Sequence, residues 1–181
     1  LVVDLDARRA LGRELHVDPG IGVGLAEAAR RGVDGRHEVL AVGLGRHVAA
    51  VRDNNPVVFF EDRMLYNFRD AVPGGDHVVP IGLAEVKRAG RDVSIIATGR
   101  MVHTAIAAAE LLIEQEISAE VVDPRSLVPL DVEGLVESVK KTSRAVVVDG
   151  GYQQYGITGE IAATIAEHAF DWLDAPVIRF G

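Results

Sequence analysis

The second half of the chain alternates between short apolar runs and segments with helical periodicity. Residues 93–97 are a β-branched run that ends at Thr98-Gly99, as expected of a strand buried on both faces of a parallel sheet. The apolar residues that follow recur at helical spacing and predict a helix that packs on this sheet: Val102, Ala105, Ile106, Ala109, Leu112 and Ile113. A first βα unit therefore begins at about residue 92.

Two more units of the same kind follow, and a short strand comes last. The predicted strands cover 119–122 and 145–148 and begin again at Pro176, and helices start after the N-cap Asp131 and near Thr158. Leu135, Val136 and Val139 form the apolar face of one helix, and Ile161, Ile165 and Ala169 form that of the other. Repeated βα units imply right-handed crossovers and helices on both faces of a mainly parallel sheet. The sequence therefore predicts an α/β fold of three layers (αβα), with a mainly parallel sheet in the middle.

The first 48 residues differ in composition from the rest. No aromatic residue precedes Phe59, while eight glycines and seven arginines fall within the first 50 positions. Few large side chains are therefore present to offset the chain entropy that folding removes. Two short helical patterns, at 7–16 and 25–31, are separated by glycines. Residues 1–48 form a segment without a domain assignment.

Charge and composition exclude several classes of function. The net charge of −8 argues against nucleic acid or an anionic membrane as a partner, because both select for an excess of Lys and Arg. With no cysteine, the chain has no disulfide, thiolate nucleophile or Cys-based metal site. No apolar run reaches membrane-spanning length, and the first residues lack the pattern of a signal peptide. These features favour a cytoplasmic protein.

Two glycine-rich segments, at 20–24 and 43–45, are candidates for phosphate-binding turns. The first follows Asp18-Pro19 rather than a strand, and the second follows a strand-like stretch, 38–42, without the required third glycine. Ordinary turns are the favoured interpretation of both. The six histidines have no metal-ligand spacing, and no serine has the flanking glycines of a nucleophile turn. No catalytic residue is predicted.

The phrase A-V-R-D-N-N-P at 50–56 concentrates oxygen atoms. One Asp and two Asn beside a proline favour a tight turn, and hard cations select all-oxygen clusters. An Asx turn that leads into a strand at 57–60 explains the same residues without a cation, and from the residues alone it is the favoured interpretation.

Acidic residues surround the last predicted helix, at Glu160, Glu167, Asp171 and Asp174, with Phe170 and Trp172 between them. One interpretation is a solvated helix face whose two aromatic rings are anchored in the core. The other is a docking patch, in which the charges steer association and an aromatic centre supplies affinity.

Three phrases occur in one order at domain-scale spacing: N-N-P-V-V-F-F-E at 54–61, D-P-R-S-L-V-P-L-D at 123–131 and V-V-V-D-G-G-Y-Q-Q-Y-G-I-T-G-E-I at 146–161. In these phrases the chain, from about Ala49 to Phe180, resembles the β subunit of the thiamine-dependent 2-oxo acid dehydrogenases that act on pyruvate, branched-chain 2-oxo acids or acetoin. The resemblance implies that 49–91 are the end of a pyrimidine-binding domain with a connector. It implies a transketolase-like C-terminal domain at 92–181.

The resemblance also implies sites and partners. In several members of that family the same phrase binds a structural potassium ion, and the matching positions here are Ala50, Val51, Asp53 and Asn55. Asp174 matches an acidic residue that helps to dock the basic subunit-binding domain of the acyltransferase core. The other implied partners are an α subunit and a second β subunit.

The resemblance does not reach the catalytic half of the family. The complete enzyme would use thiamine diphosphate and magnesium, but the glutamate that activates this cofactor belongs to a pyrimidine-binding domain. Glu14 and Glu38 are the only candidates by position, and neither lies in a matching phrase. We therefore expect this chain alone to bind no cofactor, with potassium as the one exception, and to be inactive.

Two alternatives stay open. The chain could be a stand-alone, non-catalytic interaction domain derived from the β subunit. It could also be the corresponding domain of another thiamine enzyme, such as a transketolase or a deoxyxylulose-phosphate synthase, although the phrases at 54–61 and 149–156 favour the dehydrogenase.

Overall fold

The computed structural model describes residues 2–4, 41–67 and 77–181. The chain divides into two compact units, Val2–Ile81 and Gly82–Gly181. The predicted helices at 7–16 and 25–31, the glycines at 20–24, and Glu14 and Glu38 lie outside the described residues. Within the described part, no helix is long and apolar enough to cross a membrane.

The first unit contains a helix that packs beside a two-stranded antiparallel pair. Strand β1 (Val2–Asp4) pairs with β2 (Val57–Phe59), helix α1 spans Ala41–Arg52, and a 3-10 turn spans Arg63–Asn67. The His47 ring stacks on Phe59 at a centroid distance of 4.0 Å, and its Nε2 lies 3.0 Å from Glu61 Oε1. These contacts fix the end of α1 against β2.

The prediction of a strand followed by a turn at 38–45 is wrong for the described part of that stretch, because Gly43 and Gly45 lie inside α1. Gly45 is buried, and a Cβ there would come within 2.7 Å of Val79 and 2.8 Å of His77. The Val79 N–H donates to the Gly45 carbonyl at 3.0 Å. Gly45 therefore allows His77 and Val79 to pack closely against the helix, and it does not mark a turn.

The second unit is built on a five-stranded sheet in the order β3–β5–β4–β7–β8. Strands β4, β5, β7 and β8 run parallel, and β3 pairs with β5 antiparallel at one edge. The strands are β3 (Glu85–Arg88), β4 (Val93–Ala97), β5 (Ala119–Asp123), β7 (Ala145–Val148) and β8 (Ile178–Phe180), and the short β6 (Ser126–Val128) lies outside this sheet. The predicted α/β fold with a mainly parallel sheet is confirmed.

Helices cover both faces of this sheet, but unequally. Helix α2 (Met101–Ile113) packs over β5 and β4 on the face that we call the open face. Helices α3 (Val132–Thr142) and α4 (Ile157–Ala169) lie side by side on the other face, the closed face. The closed-face core contains Ile96, Val122, Leu135, Val139, Val147, Ile161 and Ile165, and the open-face core contains Ile95, Ala97, Val102, Ala105, Ala109 and Val121.

The predicted stripe of α2 is buried at Val102, Ala105 and Ala109, whereas Ile113 is exposed. The helix ends at Ile113, and the chain turns back through Glu116, whose φ is 61°. The Ile117 N–H donates to the Leu112 carbonyl at 3.0 Å. Ile117 therefore lies beside Leu112 at the end of the helix.

The predicted N-cap of α3 is confirmed. Asp131 Oδ1 accepts from the Gly134 N–H at 2.9 Å, and its Oδ2 accepts from the Ala84 N–H at 2.7 Å. The helix ends at Thr142, and its C-cap Ser143 adopts the left-handed conformation with φ 57°. A cap of this kind contributes about 1 kcal/mol, and here it also ties the helix to the segment before β3.

A buried polar network joins α3 to the sheet. Glu120 of β5 is 1% exposed, and its carboxylate accepts from Ser138 Oγ at 2.7 Å and from the Lys141 ammonium. Ser94 Oγ lies 2.6 Å from Ser138 Oγ and 2.7 Å from Thr142 Oγ1. A buried carboxylate is tolerated only when it is paired and hydrogen-bonded, and Glu120 is both.

Candidate cation-binding loop and docking surface

The loop after α1 brings the four predicted potassium positions into one turn. Ala50 and Val51 are in the last turn of the helix, where carbonyl groups lack intrahelical partners and carry partial negative charge. Asp53 Oδ1 accepts from the Asn55 N–H at 2.8 Å and from Asn55 Nδ2 at 3.1 Å. The Asx turn that the sequence favours is therefore present, and it leads directly into β2.

This loop offers the donor types that a hard cation requires. Its oxygen donors are the helix-end carbonyls, the Asp53 carboxylate and the side-chain carbonyl of Asn55. The Asn55 amide nitrogen faces Asp53, so the turn is complete without an ion. Across 41–67 and 77–181, no group of three or more His, Asp or Glu side chains could hold a metal. A cation here would depend on main-chain oxygens.

Contacts behind the loop hold its helix and strand together. Tyr66 Oη donates to Glu61 Oε2 at 2.5 Å, and Glu61 also contacts His47. The hydrogen bond to this carboxylate raises the pKa of the Tyr66 hydroxyl. The sequence did not predict these contacts, because the partners are separated by up to 14 positions.

Asp174 lies where α3 and the segment after α4 meet. Its Oδ2 is 3.4 Å from Arg144 Nη2, and its N–H donates to the Ser143 carbonyl at 2.8 Å. Lys140 Nζ lies 4.7 Å from the centroid of the Trp172 ring. For the candidate site at Asp174 we use the name docking surface, defined by Lys140, Arg144, Phe170, Trp172 and Asp174. It is mixed in charge rather than purely acidic.

The interpretation in which two aromatic rings are anchored in the core is wrong. Phe170 is 73% exposed and Trp172 44% exposed, because a 3-10 turn at Phe170–Trp172 directs both rings away from the sheet. Ala169 and Leu173 pack on the core instead. The exposed rings supply the apolar centre that a docking surface needs.

The acidic residues do not form one patch. Glu160 is in the first turn of α4, whereas Asp174 follows the other end of this helix, which lies about 14 Å from Glu160 along the axis. Glu167, in the last turn of α4, belongs to the same end as Asp171 and Asp174. A docking site at this end would draw its negative charge from these three residues.

The phrase at 123–131 ties the end of β5 to the start of the second unit. Arg125, with φ 61°, donates from Nε to Glu85 Oε2 at 3.1 Å, and Ser126 Oγ accepts from the Gly82 N–H at 2.8 Å. Burial opposes the charge of Glu85, but hydrogen bonds from Lys87 and Arg125 outweigh it and hold the pKa of this carboxyl below its ordinary value. This phrase has a structural role.

The family model of the transketolase C-terminal domain matches residues 82–181. The chain is 45% identical over 135 residues to the acetoin:2,6-dichlorophenolindophenol oxidoreductase subunit beta of Bacillus subtilis, and 46% identical over 135 residues to the mitochondrial pyruvate dehydrogenase E1 component subunit beta of Dictyostelium discoideum. It is 46% identical over 132 residues to the 2-oxoisovalerate dehydrogenase subunit beta of B. subtilis. These matches cover 72–75% of this chain and 38–40% of each relative.

A solved structure has the same fold. A split-gene transketolase, described as an inactive β4 tetramer, superposes with a TM-score of 0.50 and 33% identity, over 61% of this chain and 35% of the other. The chain thus spans about two fifths of the length of the curated relatives that it matches.

Proposed function

The chain belongs to the family of transketolase C-terminal domains, and from this membership we propose that it is part of the β subunit of a thiamine-dependent 2-oxo acid dehydrogenase. One observation carries the proposal: the chain is 45–46% identical to β subunits named for acetoin, pyruvate and 2-oxoisovalerate, against 33% for the split-gene transketolase. The similar identity to all three leaves the 2-oxo acid unassigned.

In the complete protein, thiamine diphosphate with magnesium would supply the chemistry of oxidative decarboxylation, and the acyl group would pass to lipoyl-lysine. Residues 49–91 would belong to the pyrimidine-binding domain and its connector. The residues described in this chain carry no group assigned to that cofactor. Their part is assembly, with an α subunit, a second β subunit and the acyltransferase core as partners, in a cytoplasmic complex.

A potassium ion held by Ala50, Val51, Asp53 and Asn55 belongs to the same proposal, because the loop supplies oxygen donors at a helix end. Its test is thermal unfolding in potassium chloride and in tetramethylammonium chloride at equal ionic strength. Potassium should raise the midpoint of the wild type by a few degrees, and Asp53→Ala should abolish the difference. Equal midpoints for the wild type in both salts would remove the ion from the proposal.

A domain exchange tests the main proposal. Residues 82–181 replace the matching domain of the B. subtilis acetoin oxidoreductase β subunit, which is produced together with its α subunit. Assembly and acetoin-dependent reduction of 2,6-dichlorophenolindophenol are measured, and the unmodified relative is the control. We expect an assembled and active chimera, because the exchanged domain would meet the same partners.

The alternatives predict other outcomes. A stand-alone interaction domain would have lost the surface that faces the α subunit, so its chimera would fold without assembling. A domain of the transketolase type would fail in this chimera and succeed in a split-gene transketolase. A chimera that folds without assembling would identify the chain as an interaction domain. A chimera that is active only in the split-gene transketolase would identify it as a domain of a transketolase.

A further inference from the structure

A groove on the open face of the second unit combines an apolar lining with two opposite charges. Its volume of about 450 Å³ lies within the range of about 300–1,000 Å³ that is usual for small-ligand pockets. Aliphatic side chains from neighbouring strands and from the end of α2 and the turn after it form most of the lining: Val93, Ile95, Leu112, Ile117 and Val146. Such a lining favours an aliphatic ligand group.

Asp92 and Arg144 line the same groove, beside the amino ends of its strands. Asp92 immediately precedes β4 and Arg144 immediately precedes β7. The Ser94 N–H donates to the Arg144 carbonyl at 2.8 Å, so the two strand starts are neighbours. The Asp92 side chain is 36% exposed and the Arg144 side chain 56% exposed, and a ligand can therefore reach both. A carboxylate and a guanidinium thus belong to the same end of an aliphatic groove.

Both charged groups keep hydrogen-bonding capacity beyond their contacts within the chain. Arg144 Nη2 is 3.4 Å from Asp174 Oδ2, which is long for a charge-assisted hydrogen bond of about 2.7–2.9 Å, and a guanidinium has five N–H donors. Asp92 Oδ2 accepts from the Ser118 N–H at 2.7 Å, whereas its Oδ1 is 3.8 Å from Arg91 Nε. Arg144 can therefore donate to a ligand carboxylate, and Asp92 Oδ1 can accept from a ligand ammonium.

This pair of charges selects the kind of ligand. A simple carboxylate would be attracted by Arg144 but repelled by Asp92, and for a simple amine the two effects are reversed. An α-amino acid carries both charges on one carbon, which suits two side chains from neighbouring strands about 4.8 Å apart. We propose that the groove binds a free aliphatic amino acid of the size of leucine, with its ammonium at Asp92 and its carboxylate at Arg144. This inference goes beyond the assembly role proposed for the chain.

An NMR chemical-shift titration of the isotope-labelled, full 181-residue chain with L-leucine is the experiment. Leucine should give saturable shifts with a Kd of about 1 mM, because an open groove leaves part of the ligand in water. The shifts should be largest at the amides of Ile117 and Val146. Isocaproate lacks the ammonium and isoamylamine lacks the carboxylate, so each should bind at least about threefold more weakly than leucine. L-Serine, a zwitterion without an aliphatic chain, should give no saturable shifts.

Variants of the two charged residues test the assignment of each ligand group. Asp92→Asn keeps an oxygen for the Ser118 N–H, and it should weaken leucine binding about three- to fivefold, as for an exposed charge pair. Arg144→Gln should weaken it to the same extent. Asp171→Asn and Lys140→Gln make the same changes in charge at residues that do not line the groove, and both should keep the wild-type affinity.

Three results would overturn the proposal. Absence of saturable shifts with leucine below about 20 mM is expected of a groove that contacts only another protein. Equal affinities for leucine and isocaproate would indicate that the aliphatic group alone is bound. Equal losses in Arg144→Gln and Lys140→Gln would mean that the overall charge of the chain, rather than the groove, controls binding.

Discussion

The closed face of the five-stranded sheet is covered by two helices, whereas the open face is covered by one. Helices α3 and α4 together span β5, β4, β7 and β8, but α2 reaches only β5 and β4. On the open face Ile178 is therefore 49% exposed and Phe180 58% exposed, and Val93, Ile95, Leu112 and Val146 help to line a groove of about 450 Å³. The closed face is complete within this chain, and the open face has apolar surface that a partner could cover.

The largest expected difference between the faces is in core stability. Ile165→Ala on the closed face removes a fully buried side chain and should cost about 2–5 kcal/mol. Ile178→Ala makes the same chemical change on the open face and should cost less than about 1 kcal/mol, because half of the side chain is already in water. Urea unfolding followed by the fluorescence of Trp172, the single tryptophan, measures both. Equal losses would mean that the open face is packed as tightly as the closed face.

The second prediction tests whether the buried polar network stabilises the closed face in addition to apolar packing. Lys141→Met removes the ammonium that pairs with the buried Glu120 carboxylate, and it should cost about 2–3 kcal/mol, somewhat less than a fully buried pair because Lys141 is half exposed. Adding Glu120→Gln should restore most of the loss, since no buried charge then remains. The same unfolding assay compares the single and double variants. If the double variant is as unstable as Lys141→Met, the loss in Lys141→Met comes from the packing of the Lys141 side chain and not from the unpaired charge of Glu120.

The open face should also take part in self-association, in keeping with the second β subunit that we propose as a partner. Phe180→Glu places a charge on this face and should weaken association at least about tenfold, because the charge would be buried without a partner. Sedimentation at several concentrations measures the change.

Phe170→Glu is the matched control for that experiment. Phe170 is an exposed aromatic residue away from the open face, and the change adds the same charge. Its association should equal that of the wild type. If both variants weaken association to the same extent, net charge rather than the open face controls it.

The smallest expected effect is at the docking surface, at the outer end of the closed-face helices. Asp174→Lys should slow association with a basic subunit-binding domain about 3- to 10-fold at low salt, and the difference should shrink at high salt as the charges are screened. Glu160→Lys makes the same change in charge at the other end of α4 and is the control for general attraction. Stopped-flow mixing gives the rates. Wild-type rates for Asp174→Lys at both salt concentrations would leave Asp174 as a solvated carboxylate paired with Arg144.

Local patterns predicted the closed face from the sequence. Helices α3 and α4 each have an apolar stripe, Asp131 is an N-cap, and Asp53 and Asn55 form their turn between near neighbours. The periodicity did not predict β3, because the strand E-V-K-R is at an edge and is rich in charge. The outward turn of Phe170 and Trp172 was also missed, since a 3-10 turn has no apolar period of its own.

Contacts between residues that are far apart in the chain could not be predicted from the sequence. Arg144 and Asp174 are 30 positions apart, and Glu120 and Lys141 are 21 apart, and no local pattern joins such partners. At the candidate cation loop, the turn was predictable but the His47, Glu61 and Tyr66 contacts behind it were not. Gly45 was misinterpreted because a glycine that permits close packing in a helix has the same sequence signature as a turn glycine.

The buried network has a consequence for the alignment of α3. If the helix slid by one turn, about 5.4 Å, Ser138 and Thr142 would move together, and Ser94 would keep only one of its two hydroxyl partners. The apolar stripe is less sensitive to such a slide, because Leu135 and Val139 are one turn apart and one would take the place of the other. The slide would also separate the Glu120 carboxylate from the Lys141 ammonium and leave a buried charge without its partner. The polar groups therefore fix the position of the helix along the sheet more sharply than the apolar stripe does.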